Sequence, residues 1–345
     1  GFDVSPKRPL ALSAVAVHSL LPDDLARPEW SALLRYTDKP IVIVGSGKTA
    51  MDAIIFLTRH HPRAISRVRC ISGRGTWFFN RTTCTPFDER GQPMPDAPNM
   101  LDCMLDTLEA YDGTNGEEVL RLMAKKNWFH SAVPEPGTFM LGMCSEEEIG
   151  IVREALGPAG ERVVRAHLLD VVQKSAGELA MSLRSVDGAR CFETSLEAGS
   201  FVVNCTDHLE GKPWAPIVSK DGLVLSTQSA LGFTGPTAHL LTHAWYKGVL
   251  KDAWRHFPRF QLTEKKCDWA LRTMFVLAVI NSKFIDDMLP EMRQSAKGLS
   301  LALQAQIPRI KTSMPQIYRK MMAAIPGRYD DEPQAPVGHQ VQSKL

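Results

Sequence analysis

The sequence predicts an α/β fold built on a doubly wound parallel sheet, and three observations carry that expectation. Residues 41–44, Ile-Val-Ile-Val, form an unbroken β-branched run of the kind buried on both faces of a parallel sheet. The run ends in Gly45-Ser-Gly47, and from Asp52 the apolar residues take helical spacing, so the glycines sit at a strand-to-helix turn. Further apolar runs at Arg67–Ser72 and Ser200–Asn204 supply more strands of the same character.

The glycine turn has two readings, and its spacing separates them. Gly47-Lys48-Thr49 matches the end of a phosphate loop, but that loop needs a glycine at position 42, which is Val42. What remains is Gly45-x-Gly47-x-x-Ala50, the tight turn of a Rossmann-like NAD(P)-binding domain. Gly45 permits the bend, Gly47 lets a pyrophosphate approach the backbone, and Ala50 is small enough for the helix to pack on the sheet. The pyrophosphate would rest on the N–H groups of Ser46 and Lys48 and the positive end of the helix, with Thr49 adding a hydroxyl donor. The next strand ends in Ser72-Gly-Arg74, without the acid that an NAD ribose requires. Arg74 suits a 2′-phosphate instead, so NADP(H) is the expected cofactor. Arg81 is a weaker candidate, and Arg69 reads as structural.

Composition bounds the rest. The chain has 345 residues, enough for two or three domains. Lys+Arg total 40 against Asp+Glu 38, which gives no field to attract nucleic acid or an anionic membrane. Seven cysteines stand without a C-x-x-C pair, as unpaired thiols in a reducing compartment do, and no metal site is expected. No apolar run is long enough to span a bilayer. The expected setting is the cytoplasm; the expected partners are a small-molecule substrate and, in a homo-oligomer, further copies of the chain.

The organisation follows in order. Residues 1–36 form a lead-in segment without a complete fold unit of its own, ending in a short helix near Pro28–Arg35. Residues 37–81 and 158–208 form the NADP-binding domain. Residues 82–157 are a largely helical insertion, with helices over Met100–Tyr111, Glu117–Asn127 and Glu146–Leu156, the last capped by Ser145. Strands follow at Arg162–Ala166, Leu168–Lys174 and Leu179–Val186. The last of these pairs with Ala189–Ser195 through the Asp187-Gly188 turn. Residues 209–325 hold a return segment and a helical C-terminal region, with helices at Glu264–Leu289, Glu291–Gln306 and Met314–Ala324. The tail from 326 to 345 is expected to be disordered.

Gly45-Ser-Gly47-Lys-Thr-Ala50-Met-Asp52, placed after Val17-His18-Ser19 and an intervening helix, resembles the NADPH-binding half of flavin-containing monooxygenases. Val202-Val-Asn204-Cys-Thr206 is similar to the strand by which that family crosses back to its flavin domain. Leu231-Gly-Phe-Thr-Gly235-Pro-Thr237 is similar to the flavin-domain return. The resemblance covers about two thirds of the chain, from His18 to Leu250. It implies that NADPH docks at Gly45–Ala50, Ser72 and Arg74 and that Thr206, Gly235 and Thr237 lie toward FAD. Hydride would pass from NADPH to FAD and then to oxygen or a small-molecule acceptor. The family's FAD-binding G-x-G-x-x-G has no counterpart before Gly45, and its F-x-G-x-x-x-H fingerprint is missing. The chain is then either the C-terminal part of a longer flavoenzyme, as its start at Gly1 suggests, or a non-catalytic NADP(H)-binding redox sensor without flavin. A short-chain dehydrogenase is excluded, because no tyrosine has lysine four residues on. Catalytic residues are not assigned; His239 and His243, one turn apart, lack a third metal ligand.

Overall fold

The computed structural model describes residues 8–85, 88, 90–92, 94, 97–175, 178–206, 266–287 and 300–324. Its first half contains β1 (His18–Leu20), α1 (Pro28–Tyr36), β2 (Ile41–Val44), α2 (Lys48–His60), β3 (Val68–Ile71), β4 (Thr76–Asn80) and the single turn α3 (Arg81–Cys84). Then come α4 (Met100–Ala110), α5 (Gly116–Lys125), β5 (Phe129–His130), β6 (Thr138–Cys144) and α6 (Glu146–Leu156). The chain continues through β7 (Val163–Val164), β8 (Ala166–Ser175), β9 (Glu178–Ser185) and β10 (Cys191–Glu197) to β11 (Phe201–Asn204). Two long helices complete it, α7 (Lys266–Asp287) and α8 (Ser300–Ala324).

Five strands form an all-parallel sheet in the order β1-β11-β2-β3-β7. Every residue of β2 and β11 is buried, which explains their unbroken apolar character. Alternate side chains feed two cores. Ile41, Ile43, Val68, Phe201 and Val203 pack under α2, whose Ala50, Met51, Ile54 and Leu57 make one helical stripe, and under α6. Val42, Val44, Ile71 and Val202 face the antiparallel sheet β10-β9-β8, meeting Val171, Met181 and Leu183. Among the described residues, helices therefore cover one face of the parallel sheet and a second sheet covers the other.

The expected Asp187-Gly188 hairpin joins β9 to β10: Gly188 has φ +75°, and Ser185 N–H donates to Arg190 O at 2.9 Å. Ser145 caps α6 as expected. Glu148 N–H donates to its hydroxyl at 3.1 Å, and Glu148 Oε2 accepts from Ser145 N–H at 2.7 Å, a reciprocal capping box.

Two regions differ from the expectation. The segment after Arg81 is not helical throughout, because β5 and β6 join β4 in a third sheet, ordered β5-β4-β6. Thr76 pairs with Thr138 across 62 residues, and Gly142 lets the Phe78 ring approach closely, since a Cβ there would lie 3.1 Å from it. Secondly, α8 runs unbroken through Pro308 and Pro315, where separate helices were expected. Each proline removes one N–H from the helical ladder. Tertiary ties hold the helix regardless: Arg309 binds Asp102 at 2.6 Å and also Asp106, and Lys320 Nζ donates to the carbonyls of Leu108 and Glu109 at 2.8 and 2.7 Å. The return segment with Gly235 and Thr237, the pair His239 and His243, and the tail lie outside the described residues.

Candidate functional site

The turn at Gly45 stands at the C-terminal edge of the parallel sheet, where the strand order reverses. β3 lies on one side of β2, and β11, reached much later in the chain, lies on the other. Ligands of open α/β sheets settle at such a reversal. Gly45 adopts φ +119°, a conformation L side chains avoid, and a Cβ there would sit 2.8 Å from Cys205 O at the end of β11. Its N–H donates to Ile71 O at 2.9 Å, locking the turn to β3.

Gly47 differs in kind. Its φ is −76°, and an added Cβ would meet nothing within 4 Å. The space above it is open. Gly47 is also the N-cap of α2, with no side chain capping the helix and no acid in its first turn. Its N-terminal amides therefore keep their partial positive charge uncompensated by protein side chains. Ala50 is fully buried against the sheet.

The remaining turn residues point in several directions. Ser46 is buried, and its hydroxyl donates to Ser72 O at 2.8 Å beside Thr76 Oγ1, so it presents main chain rather than hydroxyl to the open side. Lys48 pairs with Asp52 and, at 3.2 Å, with Glu148. Burial pushes its pKa down, but Asp52 and Glu148 outweigh that and hold the ammonium above its ordinary value. Thr49 is half-buried. Arg81 reaches the same network, 3.5 Å from Glu148. Ser72 is buried, with its hydroxyl 3.4 Å from Gly73 O. Thr206, after β11, is exposed, and its hydroxyl donates to Asn204 Oδ1 at 2.6 Å.

Arg74 is exposed and has company that the sequence reading missed. His167 on β8 lies against the same bend, its Cε1 3.4 Å from where a Gly73 Cβ would be. Its cross-strand partner on β9 is Arg184. Burial lowers the His167 pKa, and the charges of Arg184 and Arg74 lower it further. Neither arginine has a carboxylate partner among the described residues. Arg74 and Arg184 thus both bear on the His167 imidazole beside the Gly73 bend, and among the described residues neither is paired with an acid, an arrangement that favours an anion. The Asp187-Gly188 turn sets the β9–β10 pairing alone; His167 meets Arg184 through the β8–β9 register, which carries irregularities at Leu168–Asp170 and Gln173–Ser175.

The cysteines offer no reactive thiolate at the turn. None is disulfide-bonded, and only Cys191 is exposed. Burial pushes Cys70 and Cys144 up to about 12. Among the described residues, no three His, Cys, Asp or Glu side chains converge as a metal site, and no helix is long and apolar enough to cross a membrane.

No protein-family model and no curated protein matches the chain. Several solved structures are similar to it at a distance. An ornithine N-hydroxylase from Kutzneria sp. 744, with reduced FAD, NADP+ and L-ornithine, shares 15% identity over 59% of this chain and 43% of its own, with a TM-score of 0.29. The L-lysine 6-monooxygenase from Pseudomonas syringae shares 13% over 64% of this chain and 49% of its own, at 0.31. The FAD-bound cadaverine monooxygenase from Erwinia amylovora shares 14% over 79% of this chain and 59% of its own, at 0.27. The chain thus spans 43 to 59% of the length of these proteins. Likenesses this distant leave the site's own geometry to carry its chemistry.

Proposed function

We propose that this chain binds NADPH across the Gly45–Ala50 turn and serves in an FAD-dependent, monooxygenase-like oxidoreductase acting on a small molecule. The observation that carries the first half is the contrast between the two glycines. Gly45 is required by its φ and by Cys205 O, whereas Gly47 has neither constraint and faces open space at an uncapped helix start. A diphosphate fits there, because free amides and the helix's positive end would receive its oxygens while the absent Gly47 side chain leaves room. Thr49 would add its hydroxyl, and Arg74, Arg184 and His167 would hold the 2′-phosphate. The Lys48 side chain, paired with Asp52 and Glu148, ties α2 to α6, and its contribution to the diphosphate would be its main-chain N–H.

The FAD half rests on the sequence resemblance. Gly73 and Gly75 do not make a second nucleotide turn: a Cβ at Gly75 would lie 2.9 Å from Val133 Cγ2, so that bend is filled by protein. Of the residues assigned toward FAD, Thr206 at the end of β11 would hold its share of the cofactor from an exposed position. When bound, FAD supplies the chemistry of accepting hydride from NADPH and passing electrons to oxygen or another acceptor.

The alternative is an NADP(H)-binding redox sensor without flavin, and the single nucleotide turn among the described residues favours it. The two readings share the NADPH site and part over flavin. Protein purified with FAD bound supports the oxidoreductase; colourless protein that binds NADPH and takes up no added FAD supports the sensor. For the site itself, Arg74→Ala and Arg184→Ala should each weaken NADPH by about 10- to 100-fold and leave NADH within about threefold. Equal losses for both coenzymes would remove the 2′-phosphate assignment.

A further inference from the structure

His167 is half-buried on β8, opposite Arg184 on β9. Main chain fixes it against the end of β3, since Gly73 N–H donates to Ala166 O and Ser72 N–H to Val164 O, each at 3.0 Å. Gly73 has φ +56°, and a Cβ there would lie 3.4 Å from His167 Cε1 and 3.5 Å from Nδ1. The missing side chain leaves that edge of the ring uncovered. Neither ring nitrogen has a hydrogen-bond partner among the described residues.

The charges that bear on the ring are of one sign. Arg184 acts from β9 and Arg74 from the bend, and burial together with these two charges holds the imidazole below the ordinary histidine pKa. The charged side chains that flank it along the chain are engaged elsewhere: Arg165 pairs with Glu135, and Asp170 accepts from Ser13 N–H at 2.8 Å. Near pH 7 the free protein therefore holds His167 neutral, because a third positive charge would be repelled. A phosphate dianion set among these groups reverses the sign of the field at the ring. The imidazolium then has two N–H donors to offer where the neutral ring has one.

We infer that His167 takes up a proton when the 2′-phosphate of NADP(H) binds, so that the preference for the phosphorylated coenzyme widens as pH falls. This role rests on the NADPH site proposed for the Gly45–Ala50 turn, and it adds a specificity determinant whose charge follows the ligand. Arg74 and Arg184 stay cationic throughout the neutral range and discriminate by a constant amount. His167 supplies the part that varies. By linkage, the slope of log affinity against pH equals the protons taken up on binding.

The test is calorimetric titration of the full chain with NADP+ and NAD+, which differ by the 2′-phosphate alone and tolerate mild acid. The range runs from about pH 8 to about 6.5, above most of the phosphate's own titration near 6. NADP+ should tighten about threefold or more toward the acid end, while NAD+ stays within about twofold. Titrations in buffers of low and high ionisation enthalpy should report a net uptake of about half a proton with NADP+ at the acid end. That measurement needs no variant, so it decides the matter even if a substitution loosens β8. His167→Gln stays polar and cannot titrate, so NADP+ binding should then release a proton, the phosphate's own, and weaken toward acid. A pH-independent preference in the parent, or a glutamine variant that keeps the parent's slope, would overturn the proton uptake. Preferential NADP+ binding that Arg74→Ala removes would still mark the coenzyme site as sound. No preference for NADP+ at any pH would overturn both.

Discussion

The parallel sheet and the region built on β4, β5 and β6 are stabilised in different ways. Around β2 and β11 the core is mostly aliphatic, with Phe78, Phe201 and Cys70 set into it, strand ladders supply the polar satisfaction, and the bend at Gly45 is pressed against Cys205 O. Around β4 to β6 the core mixes Met, Cys and aromatic side chains from α4, α5, α7 and α8, with Phe79, Phe129 and Phe139 clustered at centroid distances of 4.9 to 5.1 Å. That second core is tied by buried polar contacts between remote segments. Asp268 on α7 accepts from the Tyr111 hydroxyl at 3.0 Å and from Gly116 N–H at 2.9 Å, and burial followed by the Asp268 charge raises the Tyr111 pKa. A regular sheet can leave the main chain at its end open, which is where an anion can be received. The second region commits its polar groups to holding distant segments together.

Substitutions should separate the two regions. Gly45→Val is expected to have the largest effect, about 2–4 kcal/mol of lost stability from strain and overlap with β11, together with loss of NADPH binding. Chemical denaturation checks the first and coenzyme titration the second. Asp268→Ala should cost about 1–3 kcal/mol by leaving the Gly116 N–H buried without its acceptor, while the Tyr111 hydroxyl keeps Gly113 O at 2.8 Å, and NADPH affinity should hold. Should affinity fall in parallel, the regions are not separable in this way.

A smaller effect concerns pH. Burial lowers the pKa of His61, His130 and His167. Each folded-state value lies below the unfolded one, so their contribution is fully present above the unfolded pKa and is lost as pH falls through the folded value. Tm should therefore decline as pH drops from about 6.5 to 5, before most carboxylates titrate. A flat Tm over that interval would contradict the burial of these imidazoles.

The strand, turn and helix at residues 41–60 were legible because each rests on local chemistry: a continuous β-branched run, a glycine where φ is positive, and a helical stripe. The Ser145 cap and the Asp187-Gly188 hairpin were legible for the same reason. Strand β6 was not. Thr-Phe-Met-Leu-Gly-Met-Cys carries no clean alternation, and it becomes a strand by pairing with β4, some 62 residues away. The continuity of α8 through two prolines was hidden likewise, since it depends on Arg309 and Lys320 reaching α4. At the candidate site Arg74 stood out beside the glycine turn. Arg184 and His167 are brought to it only by the β8–β9 register, and Ser46 and Lys48 turned out to have their side chains engaged elsewhere.

Gly47→Val tests the account most directly. Because Gly47 has an ordinary φ and no neighbour where a Cβ would go, valine should leave Tm within a few degrees of the parent while placing a side chain where the diphosphate belongs. Saturable NADPH binding by the parent and a loss of about 100-fold or more in the variant, at unchanged Tm, is the predicted result. Equal NADPH affinity in the folded variant would contradict it.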